Sequence, residues 1–302
     1  MATVLITGGT GLVGRHLCKK LQEKGYDVSI LSRTRKKKGS IPAFTWDLDK
    51  NIIEKEAFNK VSFIIHLAGA NIGDKRWTAK RKQEIIDSRI KTAQLIFNKI
   101  KEQKGNLKAF ISASAIRYYG IKSPDKIFTE NDPPADDFLG NTCMQWEQMA
   151  DKFKDLGIRT VKIRTGLVLT KQGGALSKMI IPIKMGIGSA IGSGSQYLSW
   201  IHIDDLCAIY IKAIENNNMD GAFNAVAPDH KTNKEFTRML TKVLKKPFWF
   251  PNIPAMAMKL IFGDMSEIIL KGNKVSSDKI KAKGYSFLFP EFESALYDLI
   301  KK

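Results

Sequence analysis

Thr3-Val4-Leu5-Ile6-Thr7-Gly8-Gly9-Thr10-Gly11-Leu12-Val13-Gly14 opens the chain, and its reading decides the fold. A short β-branched and apolar run ends in glycines, and a helical pattern follows from Leu12 to Lys24 with Gly25 as its stop. Gly9-Thr10-Gly11-Leu12-Val13-Gly14 fits G-x-G-x-x-G, and Gly8, Gly11 and Gly14 also fit G-x-x-G-x-x-G. Between a strand and a helix these glycines have distinct tasks. One permits the tight turn, another admits a pyrophosphate to the backbone, and Gly14 lets the helix pack closely on the strand. The free N–H groups of the helix N-terminus then face the anion. Thr7, Gly8, Gly9, Thr10, Gly11, Leu12, Val13 and Gly14 are therefore expected to hold the phosphates of a dinucleotide.

Outward from this loop, strand and helix patterns alternate. Val28–Leu31, Phe44–Trp46, Phe63–Leu67, Ala109–Ala113 and Thr160–Ile163 read as strands. Ile86, Ile90, Ala93, Phe97 and Ile100 recur at steps of four and three and mark one helix, and 136–156 contains another. Such alternation predicts an α/β protein: a Rossmann-type doubly wound parallel sheet. After about Arg164 the texture becomes irregular, with a Gly-rich stretch from Gly186 to Gly194. The expected division is a dinucleotide-binding domain over 1–165 and a smaller C-terminal substrate lobe over 166–302.

The end of the second strand selects the cofactor. An NAD site carries an acid there to hold the ribose 2′-hydroxyl. This chain has Leu31-Ser32-Arg33-Thr34-Arg35 and no acid. Ser32 and Arg33 suit a 2′-phosphate, one by hydrogen bond and the other by a charge-assisted fork, with Arg35 and Lys36 adding field. NADP(H) is the expected cofactor.

Bulk composition narrows the class. In 302 residues, 43% are hydrophobic, and no apolar run approaches the ~20 residues of a membrane helix. Thr3–Thr7 is too short for a secretory core, so a cytoplasmic enzyme with no membrane partner is expected. Cys18, Cys143 and Cys207 form no CxxC pair and share no metal-ligand spacing with the four histidines, which argues against a disulfide framework or a metal site. The net charge of +19 invites a nucleic-acid reading. The lysines are spread along the chain with no recognition signature, so nucleic acid is disfavoured as a partner. His66 and His202 lie in apolar runs and read as structural, with Asp204 as the N-cap of a helix through Ile214.

Several motifs together resemble the extended short-chain dehydrogenase/reductases, the NAD-dependent epimerase/dehydratase group. They are Thr7–Gly14, His66-Leu67-Ala68-Gly69-Ala70, Ser112-Ala113-Ser114 followed by Tyr119-Gly120, and Trp200-Ile201-His202-Ile203-Asp204-Asp205. Gly73-Asp74-Lys75-Arg76-Trp77-Thr78, Asp87-Ser88-Arg89-Ile90, Asn233-Lys234-Glu235-Phe236 and Gly272-Asn273-Lys274-Val275 are similar to its atypical "epimerase family" branch. Some members of that branch are labelled cell-division inhibitor or nucleoside-diphosphate-sugar epimerase. The resemblance spans essentially the whole chain. It implies Asp47 and Leu48 near the adenine and Leu67, Ala68 and Gly69 beside the nicotinamide ribose, while Asp47 alone also reads as a turn residue.

One departure from the family matters. Typical members pair a serine or threonine with Tyr-x-x-x-Lys, in which the tyrosine is the acid/base and the lysine holds the ribose. With Glu147 matched to the family's glutamate, Leu139 stands at the tyrosine position and Cys143 at the lysine position. Ser114 and Cys143 are left as the catalytic candidates, each with a plain structural alternative: a strand-end cap and a buried small apolar side chain. Lys75, Arg76 and Trp77 are candidates for an anionic, ring-bearing or sugar-nucleotide-like small-molecule substrate, or else a basic loop with a packed indole. Two functions stay open: an NADP(H)-dependent oxidoreductase or epimerase with a nonstandard acid/base, and a catalytically silent NADP(H)-binding regulator or sensor. Monomer and homodimer are both compatible with the sequence.

Overall fold

Strands and helices alternate from the first residues of the computed structural model, which describes residues 2–34, 41–103, 106–120 and 126–301. The first half runs β1 (Thr3–Thr7), α1 (Leu12–Glu23), β2 (Asp27–Ser32), β3 (Ala43–Asp47), β4 (Ile52–Ile53), β5 (Val61–His66), α2 (Ala79–Gln103), β6 (Ala109–Ala115), β7 (Ile127–Phe128), α3 (Phe138–Asp151) and β8 (Arg159–Thr165). The second half begins with β9 (Leu167–Leu169), α4 (Gly174–Lys184), β10 (Tyr197–Leu198), β11 (Trp200–His202), α5 (Ile203–Glu215), β12 (Gly221–Ala225) and β13 (Lys231–Thr232). It ends with α6 (Asn233–Val243), α7 (Ala255–Phe262), α8 (Glu267–Leu270), β14 (Lys274–Val275), α9 (Asp278–Ala282) and α10 (Phe292–Lys301).

One eight-stranded sheet carries the molecule, in the order β12-β8-β6-β5-β1-β2-β3-β4. All its pairings are parallel except β3 with β4. Both faces are covered, which is why β1 reads as unbroken Val-Leu-Ile. Val4 and Ile6 pack with Leu17 and Leu21 of α1 and Leu206 and Ile209 of α5, while Leu5 turns to the opposite layer with Ile96 of α2 and Met149 of α3. The chain moves outward from β1 through β2 and β3, then returns to build β5, β6 and β8 on the other side. The strand ends beside β1 are thus the switch point at which this architecture opens a ligand crevice.

The sheet crosses the division expected after residue 165. β12 pairs with β8 in the register Phe223↔Ile163, and α5 packs on the same face as α1. Gly-Ala-Phe-Asn-Ala has a weak strand composition, and it gains its place by lying against an already formed parallel edge. A separate apolar cluster then gathers Leu176 and Ile183 of α4, Phe236 and Leu240 of α6, and Phe292 and Leu296 of α10.

The start of α5 also differs from the expectation. His202 is the N-cap, its Nδ1 accepting the Asp204 amide at 3.1 Å. Asp204 lies two residues further on, within the first turn, where its carboxylate reaches His16 of α1 at 2.7 Å and Lys20 at 3.4 Å. A partner on the neighbouring helix holds that carboxylate away from the backbone. Asp205 accepts the Tyr285 hydroxyl at 2.6 Å and the Leu288 and Phe289 amides at 2.8 and 3.0 Å, fastening the C-terminal segment to the sheet.

Candidate functional site

The turn from β1 into α1 is built on glycine for reasons of space. Gly8 has φ +69°, and a Cβ there would stand 2.9 Å from the Leu67 carbonyl carbon. A Cβ on Gly14 would collide with the Gly8 carbonyl, and one on Gly9 with the Ile30 side chain. Gly11 donates its amide to Gly8 at 2.9 Å and caps α1 with extended backbone. Among the described residues no side chain bonds the first-turn amides of α1, and no acid sits in that turn. Bare donors at the positive end of a twelve-residue helix, in a cradle that any side chain would fill, fit the pyrophosphate of a dinucleotide.

Thr7 fixes the floor of this crevice. Its Oγ1 accepts the Leu67 and Ala68 amides, each at 3.1 Å, so its proton is free to go to His66 Nδ1 at 2.8 Å. His66 Nε2 faces the Thr92 hydroxyl at 3.2 Å and the Arg89 carbonyl at 3.3 Å. Burial pushes the imidazole down to about 4, so it is neutral and works as a strut between β5 and α2.

The β2 end of the crevice is only partly polar. Ser32 closes β2 half-buried and Arg33 is exposed beside it. Arg35 and Lys36 lie outside the described residues. Asp47 accepts the Asp49 and Lys50 amides at 3.0 and 3.1 Å, a turn role, and Leu48 packs against the core.

At the far end, the two catalytic candidates are inside the packing. Ser114 is 3% exposed and donates to Glu147 Oε1 at 2.7 Å. Glu147 forks with Arg164, Nε to Oε1 and Nη2 to Oε2, both at 2.8 Å. Arg164 Nη1 donates to the Tyr119 hydroxyl at 2.9 Å, and Tyr119 donates to Asn224 Oδ1 at 2.6 Å. Burial opposes the Arg164 charge, yet the fork to Glu147 holds the guanidinium above its ordinary range. Cys143 is buried, and burial, then the Glu147 charge, push its thiol up to about 12. A thiol held that high is protonated near neutrality and is neither nucleophile nor base.

Leu139, in contrast, lines a cavity with Trp77, Phe138, Ile268 and Arg117. Trp77 meets Phe138 edge-on at 5.1 Å, and its indole N–H donates to Ile72. Arg117 Nη2 is engaged by the carbonyls of Ile268 at 2.6 Å and Lys271 at 3.2 Å. Asp137 caps α3 through the Gly140 amide, and Glu267 pairs with Lys271. Of the three substrate candidates, Trp77 alone reaches this cavity. Arg76 donates instead to the Leu260 carbonyl at 2.8 Å, clamping α7, and Lys75 is exposed.

Sequence reasoning missed the Arg164–Glu147 fork and Arg117. The available signal was charge in strand positions: Lys162 and Arg164 interrupt the apolar run of β8, and both are buried. His202, Asp204 and Asp298 bring ligand-type atoms within 4.8 Å of one another. His202 Nδ1 and the Asp204 carboxylate are already engaged in the α5 cap and the α1 contact, so the group serves as a latch. Among the described residues no helix is long and apolar enough to cross a membrane.

Comparison with known proteins matches residues 4–226 to the NAD dependent epimerase/dehydratase family and residues 253–299 to a domain of unknown function, DUF1731. Epimerase family protein YfhF of Bacillus subtilis is 36% identical over 300 residues, covering 98% of this chain and 97% of its own. The crystal structure of human epimerase family protein SDR39U1 with NADPH superposes with a TM-score of 0.89 at 32% identity, covering 99% of both chains. UDP-glucose 4-epimerase of Thermotoga maritima, solved with UDP-glucose, shares the fold at a TM-score of 0.81 and 17% identity, over 99% of this chain and 97% of its own.

Proposed function

The chain belongs to the NAD dependent epimerase/dehydratase family, and we propose that it is an NADP(H)-binding, extended short-chain dehydrogenase/reductase-type oxidoreductase or epimerase that lacks the Tyr-x-x-x-Lys pair. The observation that carries this reading is the bare first turn of α1 beside a β2 end that holds Ser32 and Arg33 and no acid. The first supplies donors for a pyrophosphate, and the second suits a 2′-phosphate. The resemblance to a human protein solved with NADPH supports the same choice. When bound, a nicotinamide supplies hydride transfer. The chain's own part is to hold the dinucleotide along the strand ends and to offer Trp77, Phe138 and Leu139 as an apolar wall for a ring-bearing small molecule. Residues 166–302 supply the other wall through Ile268, and the protein is assigned to the cytoplasm.

Titration of NADPH and NADH by calorimetry tests the cofactor. NADPH is expected to bind more tightly. Arg33→Ala is expected to weaken NADPH about tenfold while leaving NADH within about twofold, the loss of one charge-assisted contact. Tighter NADH binding by the wild type overturns the assignment.

A second reading, a catalytically silent NADP(H)-binding regulator or sensor, is favoured by one specific observation. Ser114 is committed to Glu147, Cys143 is a buried protonated thiol, and Leu139 has no proton to transfer. A screen of carbonyl compounds and nucleotide sugars with bound NADPH separates the two. Turnover of any of them supports the enzyme. Full cofactor occupancy without turnover supports the sensor.

A further inference from the structure

α7 reads Ala-Met-Ala-Met-Lys-Leu-Ile-Phe, and of its eight residues only Met258 is buried. Met256 and Leu260 lie four apart on one face of it and are 81% and 79% exposed. Met185, at the end of α4, is 72% exposed, and Trp249 is 68% exposed with Phe250 beside it. A helix this apolar all round is ordinarily covered on every side.

Backbone contacts join these residues into one ledge. Ser189 Oγ donates to the Pro251 carbonyl at 2.5 Å, the Ile253 amide to the Ala190 carbonyl at 2.9 Å, and the Gly192 amide to the Ile253 carbonyl at 2.8 Å. The segment that follows α4 therefore lies against the segment that leads from Trp249 into α7. Arg76 holds α7 in place through the Leu260 carbonyl. Single exposed apolar side chains are ordinary on a protein surface, but a contiguous set on two bonded segments marks a docking surface.

Charge says what the ledge meets. Residues 171–191 and 245–263 contain no aspartate or glutamate. Lys178 and Lys184 flank Ile181 three residues to either side, Lys245 and Lys246 precede Trp249, and Lys259 adjoins Leu260; all five lysines are exposed. The acids that follow α7 are already taken, Asp264 by Lys82 and Glu267 by Lys271. The ledge is thus apolar at its centre and uniformly positive around it. A second copy of this chain fits it poorly, because a two-fold interface meets itself and would set lysine against lysine. The apolar side chains also protrude instead of lining a groove, which suits a soft acyl layer better than a rigid protein surface.

We infer that this ledge docks the protein on an anionic lipid surface. Trp249, Phe250, Met256 and Leu260 enter the boundary between headgroups and acyl chains, and the lysines hold lipid phosphates around them. Such a contact lies on the membrane and needs no helix that spans it. It is independent of the NADP(H) reading, since none of these residues belongs to the glycine loop or to the cavity at Leu139.

Co-sedimentation of the full chain with vesicles tests the surface. Binding is expected to vesicles of phosphatidylcholine with about one third phosphatidylglycerol, to be weak on phosphatidylcholine alone, and to fall as salt is raised. The double variant Met256→Gln, Leu260→Gln removes apolar area without changing charge and is expected to lower binding about tenfold or more. Lys245→Gln is expected to lower it about fivefold. Lys101→Gln controls for net charge alone, because Lys101 is exposed in the last turn of α2, about 33 Å along that helix from the end nearest Arg76. It is expected to leave binding within about twofold of wild type. All these side chains are exposed, so the variants fold, and an unchanged melting temperature verifies it. No binding to anionic vesicles, equal binding to both kinds, or equal losses from Lys101→Gln and the ledge variants overturns the inference. So does a dimer in analytical ultracentrifugation that the Met256→Gln, Leu260→Gln variant abolishes, which assigns the ledge to a second copy.

Discussion

At the glycine-loop end of the crevice, α1 begins on Gly11 with no side chain among the described residues on its first-turn amides and no acid within that turn. Across the same sheet edge, Ser114, Glu147, Arg164, Tyr119 and Asn224 bond one another in a closed buried chain. Both regions are rich in hydrogen-bonding groups, but only the first leaves them available. Unused donors in a rigid cradle are compensated by a ligand, whereas a satisfied buried network rigidifies the protein and has nothing left to offer a substrate. The lesson concerns Ser114 in particular. A strand-end serine can donate a hydrogen bond to a substrate only if its proton is free, and here the Glu147 carboxylate takes it.

The sharpest way to break this contrast is Glu147→Ala. It leaves Arg164 buried, 4% exposed in its side chain, without its counter-ion. Chemical denaturation is expected to show a loss of about 3–5 kcal/mol, while NADPH affinity in the folded fraction stays within about twofold. A drop in affinity that matches the drop in stability would show that the closed network does reach the ligand.

Acid titration probes the strut between the two ends. His66 titrates at about 4 in the folded protein and nearer 6.5 unfolded, so below about 6.5 the unfolded chain takes up the proton first. Its contribution is complete above that pH and fades as pH falls toward 4, by about 3 kcal/mol in all. His66→Gln is expected to flatten the fall in stability between pH 7 and pH 4.5 relative to wild type. Parallel curves would remove the strut from the account.

The smallest of the three effects belongs to the open end. Gly14→Ala drives a Cβ into the Gly8 carbonyl and displaces the loop. NADPH affinity is expected to fall about 100-fold, or roughly 2.7 kcal/mol, measured by calorimetry. An unchanged affinity would mean that the cradle is not where the cofactor binds.

Most of the first half was legible from residue order. β1, α1, β2, β5 and β6 follow from apolar runs and periodicity, because a strand buried on both faces has to be continuously apolar. The glycine loop was legible because glycine's requirement is local: φ +69° at Gly8 and the close approach at Gly14 are written into a few consecutive residues. β12 was not legible, since a Gly-Ala-Phe-Asn-Ala segment is made a strand by the edge it joins. The α5 cap was misplaced by two residues because Asp204 is held by His16, 188 positions away in the chain.

By itself, then, the sequence determined the doubly wound sheet, the glycine turn between β1 and α1 and the absence of a tyrosine and lysine on α3. These are matters of covalent geometry, periodicity and residue identity. Only the tertiary structure decided which polar groups are free. Ser114 meets Glu147 across 33 residues, Arg117 reaches Ile268 across 151, and Arg89 covers Gly69. Availability of a proton or a charge depends on neighbours brought together by packing, and no local pattern in the chain encodes it.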